Sequence, residues 1–89
     1  MLVKLIELHK PEGDRVYLDE IHVTPAAVTT IRRETDQGMI NEAHNLGIVQ
    51  DAQFSRITIS EGPLVRSVVV VGSPEELRRK LNKRQLLRD

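Results

Sequence analysis

The most constraining feature of the chain is a junction near its C-terminal end. Four consecutive valines, Val68 to Val71, are followed by Gly72, Ser73, Pro74, Glu75 and Glu76. β-Branched side chains suit a packed, pleated surface. Because the valines occupy both strand parities, residues 64–71 read as a strand covered on both faces. Gly72 ends that strand. Ser73 then serves as an N-cap, Pro74 occupies the first helical position, and Glu76 lies three residues after the cap. This is a capping box, in which the Ser73 hydroxyl accepts from the Glu76 amide and the Glu76 carboxylate accepts from the Ser73 amide. A helix is predicted from about Pro74 to about Leu87, within a terminal unit of residues 73–88. The one strongly signalled helix comes last, so no parallel βαβ pattern is visible and the strands are expected to pair as antiparallel hairpins.

Upstream, Val3 to His9 is apolar on both parities, with Val3 and Leu5 on one side and Leu2, Ile6 and Leu8 on the other. Lys10-Pro11-Glu12-Gly13-Asp14 is a turn, since Pro fixes φ and Gly permits positive φ. Arg15 to Asp19 completes a hairpin, and Glu20 to Val23 is a brief extended piece. Thr24-Pro25 disfavours helix at Thr24. Val28 to Arg33 is a third strand. Phe54 to Ser60 is a fourth, with Ile57 and Ile59 on one face. Glu61-Gly62-Pro63 turns the chain into the fifth strand, Leu64 to Val71. Residues 34–53 are ambiguous: Met39, Ile40, Ala43 and Leu46 suit a weak helix stopped by Gly47, within what otherwise reads as a loop.

At 89 residues and 10.1 kDa the chain makes one domain, 1–89, with a β core from 1–33 and 54–72. The expected class is α+β, mainly β: about five short antiparallel strands in a curled sheet or small barrel, with a C-terminal α-helix. Closure is expected because both parities of the first and last strands are apolar. There is no cysteine, which removes disulfides, thiolate zinc sites and thiol catalysis. One Phe, one Tyr and no Trp leave no aromatic stacking platform.

The segments Leu2–Asp19, Thr24-Pro25 with Val28-Thr29-Thr30-Ile31, and the closing strand with Ser73-Pro74-Glu75-Glu76-Leu77 resemble small bacterial flagellar accessory proteins of the FlbD (swarming motility) type. The likeness covers about fifty residues in three pieces and has no counterpart for residues 34–53. It implies a non-enzymatic accessory role and supplies no catalytic residues. A small phage or mobile-element protein would share the same patterning.

Candidate chemistry is sparse. Glu20 with His22 and Glu42 with His44 repeat an i, i+2 spacing that could hold a divalent ion if the two pairs met in space. With 13 acidic residues, such spacing also arises at ordinary surface histidines. Ser73 is used by capping, and Ser55, Ser60 and Ser67 sit in no nucleophile elbow. The valine strand, Gly72 and helix start resemble a phosphate-binding turn, but one glycine and an occupied cap argue for a plain capped helix. The chain is therefore not expected to be an enzyme, and no metal or cofactor is expected.

Charge is uneven. Residues 1–72 carry seven basic and ten acidic side chains, a net of −3; residues 73–89 carry six and three, a net of +3. Arg78, Arg79, Lys80, Lys83 and Arg84 make the densest basic cluster, with Glu75–Arg79 and Glu76–Lys80 spaced for i, i+4 neutralisation. The helix's apolar face is thin: Leu77 and Leu81 share it, while Leu86 points almost opposite. These patterns give two expectations. The first is a non-catalytic adaptor or regulatory protein acting by self-association or protein binding, with Leu64, Val65, Leu86 and Leu87 as the partner surface. The alternative is a nucleic-acid-binding accessory protein using Arg32, Arg33, Arg78, Arg79, Lys83 and Arg84. The opening segment lacks a basic n-region and a long apolar run, so a cytoplasmic protein with no membrane partner is expected.

Overall fold

The structure, a computed structural model, describes residues 2–10, 16–45, 47 and 52–86, the last four as backbone only. In chain order the elements are β1 (Val3–His9), β2 (Tyr17–Val23), a 3-10 turn (Pro25–Ala27), β3 (Val28–Arg33), α1 (Gln37–Asn45), β4 (Phe54–Glu61), β5 (Leu64–Val71) and α2 (Pro74–Leu86). The expected strand at 15–19 and the extended piece at 20–23 form one strand, paired with β1 over seven residues from Val3↔Val23 to His9↔Tyr17. Arg15 and residue 87 lie outside the described residues.

The fold is α+β and mainly β. All five strands form one antiparallel sheet in the order β2-β1-β5-β4-β3. The expected closure into a curled sheet or small barrel is not found: β2 and β3 stand at opposite edges of an open sheet. The reason is that two helices do the covering that closure would have done. On one face, Leu77 and Leu81 of α2 pack with Val3, Leu5, Ile57, Ile59, Val68 and Val70. On the other, Ala43, Met39 and Ile40 of α1 pack with Leu8, Phe54, Val69 and Val71. Strand alternation sends neighbouring valines of β5 into two different apolar clusters. An apolar run on both parities is therefore satisfied without a barrel.

The junctions follow from local chemistry. In the capping box of α2, the Ser73 hydroxyl accepts from the Glu76 amide at 3.1 Å and Glu76 accepts from the Ser73 amide at 3.2 Å. Gly72 sits at φ +129, a region that side chains rarely adopt. Its amide donates to the Gln53 carbonyl and its own carbonyl accepts from the buried Ser55 hydroxyl at 2.8 Å. These bonds tie the end of β5 to the start of β4, which fixes where α2 leaves the sheet. α1 is capped by Asp36, whose Oδ1 accepts from the amides of Gly38 and Met39. Just before it, the Glu34 carboxylate is only 8% exposed and accepts from the Thr35 and Asp36 amides and from Arg56.

Candidate functional site

The strand order leaves β2 and β3 at the sheet edges, each paired on one side among the described residues. An edge strand offers a row of unpaired N–H and C=O groups to another chain. The edges differ. β2 pairs with β1 in unbroken register, contains no proline, and is exposed along most of its length. Tyr17 and Leu18, at its start, are nearly half exposed. β3 is shorter, and its register with β4 shifts between Val28 and Thr30, a bulge that blunts an edge. The charges differ too: β2 carries Asp19, Glu20 and His22, whereas β3 carries Arg32 and Arg33.

Alternation along β2 separates its side chains. Leu18, Glu20 and His22 share the face of α1, while Tyr17, Asp19, Ile21 and Val23 share the face of α2. The register places Lys4 beside His22 and Ile6 beside Glu20. His22 Nε2 lies 3.7 Å from Glu20 Oε1, and both side chains are more than half exposed.

The two Glu–His pairs read from the sequence do not meet. Glu42, on α1, is bonded to Lys10 at 2.7 Å, and that bond holds the Glu42 carboxyl below and the Lys10 ammonium above their usual ranges. His44 stacks obliquely near Phe54, ring centres 6.4 Å apart, with its Nε2 buried and lacking a hydrogen-bond partner among the described residues. Among the described residues no cluster of three His, Cys, Asp or Glu side chains could hold a metal ion. His9 instead bonds Glu7 at 3.1 Å and meets Tyr17 edge to face across the hairpin.

Of the apolar partner surface read from the sequence, the structure describes the side chains of Leu64 and Val65. Leu64 and Val65, 72% and 67% exposed, lie beside the Gly62-Pro63 turn and point to opposite faces of β5. The Leu86 side chain and Leu87 lie outside the described residues. The basic set is divided as well. Arg32 and Arg33 alternate to opposite faces of β3, and Arg32 stands across from Arg56. Arg78, Arg79 and Lys80 are exposed on α2, and among the described residues none of them is ion-paired; Glu76, the i, i+4 neighbour of Lys80, is engaged by the cap. The side chains of Lys83 and Arg84 are outside the described set. Sequence reasoning missed the Glu34–Arg56 pair, 22 residues apart and visible only once β3 and β4 are in register.

No helix among the described residues is long and apolar enough to cross a membrane. No family model, curated protein or solved structure matches the chain.

Proposed function

We propose that the chain is a non-catalytic adaptor or regulatory module that acts by binding protein, including its own copies, along an open edge of its sheet. The observation that carries this reading is the strand order, which leaves β2 and β3 with one neighbour each. Addition of a strand to such an edge gives affinity through main-chain bonds and specificity through alternate side chains. Three polar side chains support it as well, since each is engaged in a structural bond. Ser55 holds Gly72, Ser73 caps α2, and Glu34 anchors the turn into α1. The likeness to FlbD-type flagellar accessory proteins points the same way.

A second reading, nucleic-acid binding, draws on α2, where Arg78, Arg79 and Lys80 are exposed with no acidic partner among the described residues. One experiment separates the two. Solution mass is measured with and without duplex DNA at low and high salt. Protein binding predicts a mass that depends on protein concentration and not on DNA. Co-migration with DNA that weakens steeply as salt rises would replace the first reading with the second.

A further inference from the structure

We infer that two copies of this chain join β2 to β2 in an antiparallel pairing centred on Ile21, which makes one ten-stranded sheet from two five-stranded ones. This rests on the protein-binding reading above and names its partner and register. The choice of edge follows from the bulge: β3 is interrupted between Val28 and Thr30, whereas β2 is regular throughout.

The choice of register follows from charge. A two-fold axis perpendicular to the sheet keeps equivalent faces on the same side, so each residue must oppose one of its own parity, and the axis passes through a single residue. Centring on Asp19 or Glu20 sets two like carboxylates directly against each other, which destabilises a cross-strand pair. Centring on His22 opposes two imidazoles and shortens the ladder, because Pro25 has no amide to donate and opens the 3-10 turn. Centring on Ile21 opposes isoleucine to isoleucine on the α2 face and sets Glu20 against His22 twice on the other face. Glu20 and His22 are already neighbours within each strand at 3.7 Å. The dimer would therefore hold two carboxylates and two imidazoles alternating in a square, each acceptor beside a ring nitrogen. Lys4, beside His22 in β1, adds a positive charge facing the partner's Glu20. Ile6, beside Glu20, adds none.

Nothing in the fold obstructs this contact among the described residues. α2 has its largest contact with β3, at the far edge; Ile21 is partly buried against the cluster that Leu77 and Leu81 complete, so its side chain lies on the α2 face while the β2 backbone edge stays open. α1 sits over Leu8, Phe54 and Val69, and Leu8 pairs with Leu18 at the other end of β2 from Ile21. A single strand pair buries little area, so the dimer is a weak one, governed by concentration.

The chain has no cysteine, so introduced thiols report without background. In this register, residue 21 opposes its own copy, with Cβ atoms about 5 Å apart. Residue 18 opposes residue 24, which leaves the two copies of residue 18 about 20 Å apart along the strand. Ile21→Cys should therefore cross-link to a dimer with a short bismaleimide, and Leu18→Cys should not. Sedimentation over a wide concentration range tests the Glu20–His22 square without touching the core. Glu20→Lys should weaken dimerisation about tenfold or more, and adding His22→Glu should restore it to within about threefold. A strictly monomeric wild type, equal cross-linking at 18 and 21, or cross-linking at Ile31→Cys instead would each overturn this dimer. None of those results involves DNA, so they leave the wider reading standing; co-migration with DNA would remove that reading itself.

Discussion

Glu34 shows how a charged residue earns burial in so small a domain. Its carboxylate is nearly enclosed, yet each oxygen is occupied: Oε1 by the Thr35 and Asp36 amides, Oε2 by the Arg56 Nε and guanidinium at 2.9 and 2.8 Å. Buried polar groups are tolerated when they are bonded in this way. Arg56 is more than a third exposed, so solvent weakens the ion pair and the enclosed backbone bonds carry more of the effect. Glu34→Ala should lower stability by about 2 kcal/mol, read as a shifted urea midpoint with unchanged slope. A midpoint equal to wild type would mean that water replaces the carboxylate without loss. Gly72 depends on conformation instead. A Cβ there would stand 3.3 Å from the Leu77 side chain, and the backbone is held at φ +129. The contact could relax, since the atom it meets ends a flexible side chain, but the φ cannot without moving the start of α2. Gly72→Ala should cost about 1–3 kcal/mol, measured by thermal unfolding.

At the scale of the element, the two helices are held by different devices. α2 is anchored by its capping box, and Ser73→Ala should cost about 1 kcal/mol; a Ser73/Glu76 double-mutant cycle reads the reciprocal part of that cost. α1 is tied to β1 by Lys10–Glu42, and its pH dependence has two signs. The Glu42 carboxyl is held down chiefly by its bond to Lys10, so its contribution is complete above the ordinary carboxylate range and is lost as pH falls through the lowered value. The Lys10 ammonium is raised by the same bond, so its contribution is complete below its ordinary value of 10.5 and is lost as pH rises through the raised one. Glu42→Gln should therefore flatten a small stability plateau between about pH 5 and 10, and wild type in high salt should approach the variant, because both groups are well exposed. The two helices were not equally legible in the sequence. The start of α2 is written in five adjacent residues. α1 is not, because its cap, Asp36, precedes a helix with Gly38 near its start, and Gly is a weak helix former. The strands were legible as alternation and β-branching, and the missing closure was not. Apolar residues on both parities of β5 say only that both faces are covered, and a short helix over residues 37–45 covers a face as well as a barrel wall does. The candidate edges were illegible for the same reason, since strand order depends on pairings such as Glu7↔Val70 that join distant parts of the chain.

For the whole molecule, the question is how stability and binding divide the surface. Among the described residues the α2-side cluster runs from Val23 of β2 through β1, β5 and β4 and closes on two helical residues, Leu77 and Leu81, each almost fully buried. Either one changed to Ala should cost about 2–5 kcal/mol. That is comparable to the whole stability expected of a chain this size, roughly 5–10 kcal/mol, so the double variant should be unfolded at room temperature by circular dichroism. The β4–β5 hairpin behaves in the opposite way. Leu64 and Val65 lie beyond the part of β5 that opposes β1, project from opposite faces, and join neither apolar cluster. Exposed apolar residues that pack on nothing contribute little to folding. Leu64→Lys with Val65→Lys should thus leave the melting temperature within a degree or two of wild type, an energy change of under about 0.5 kcal/mol. Its effect on self-association decides between two surfaces on one molecule. If copies meet along β2, the hairpin tip lies across the sheet from the contact and the double lysine variant keeps the wild-type dissociation constant. If it abolishes the dimer while Glu20→Lys does not, the contact belongs to the hairpin tip, and the β2 edge is simply a solvated margin guarded by its own charges.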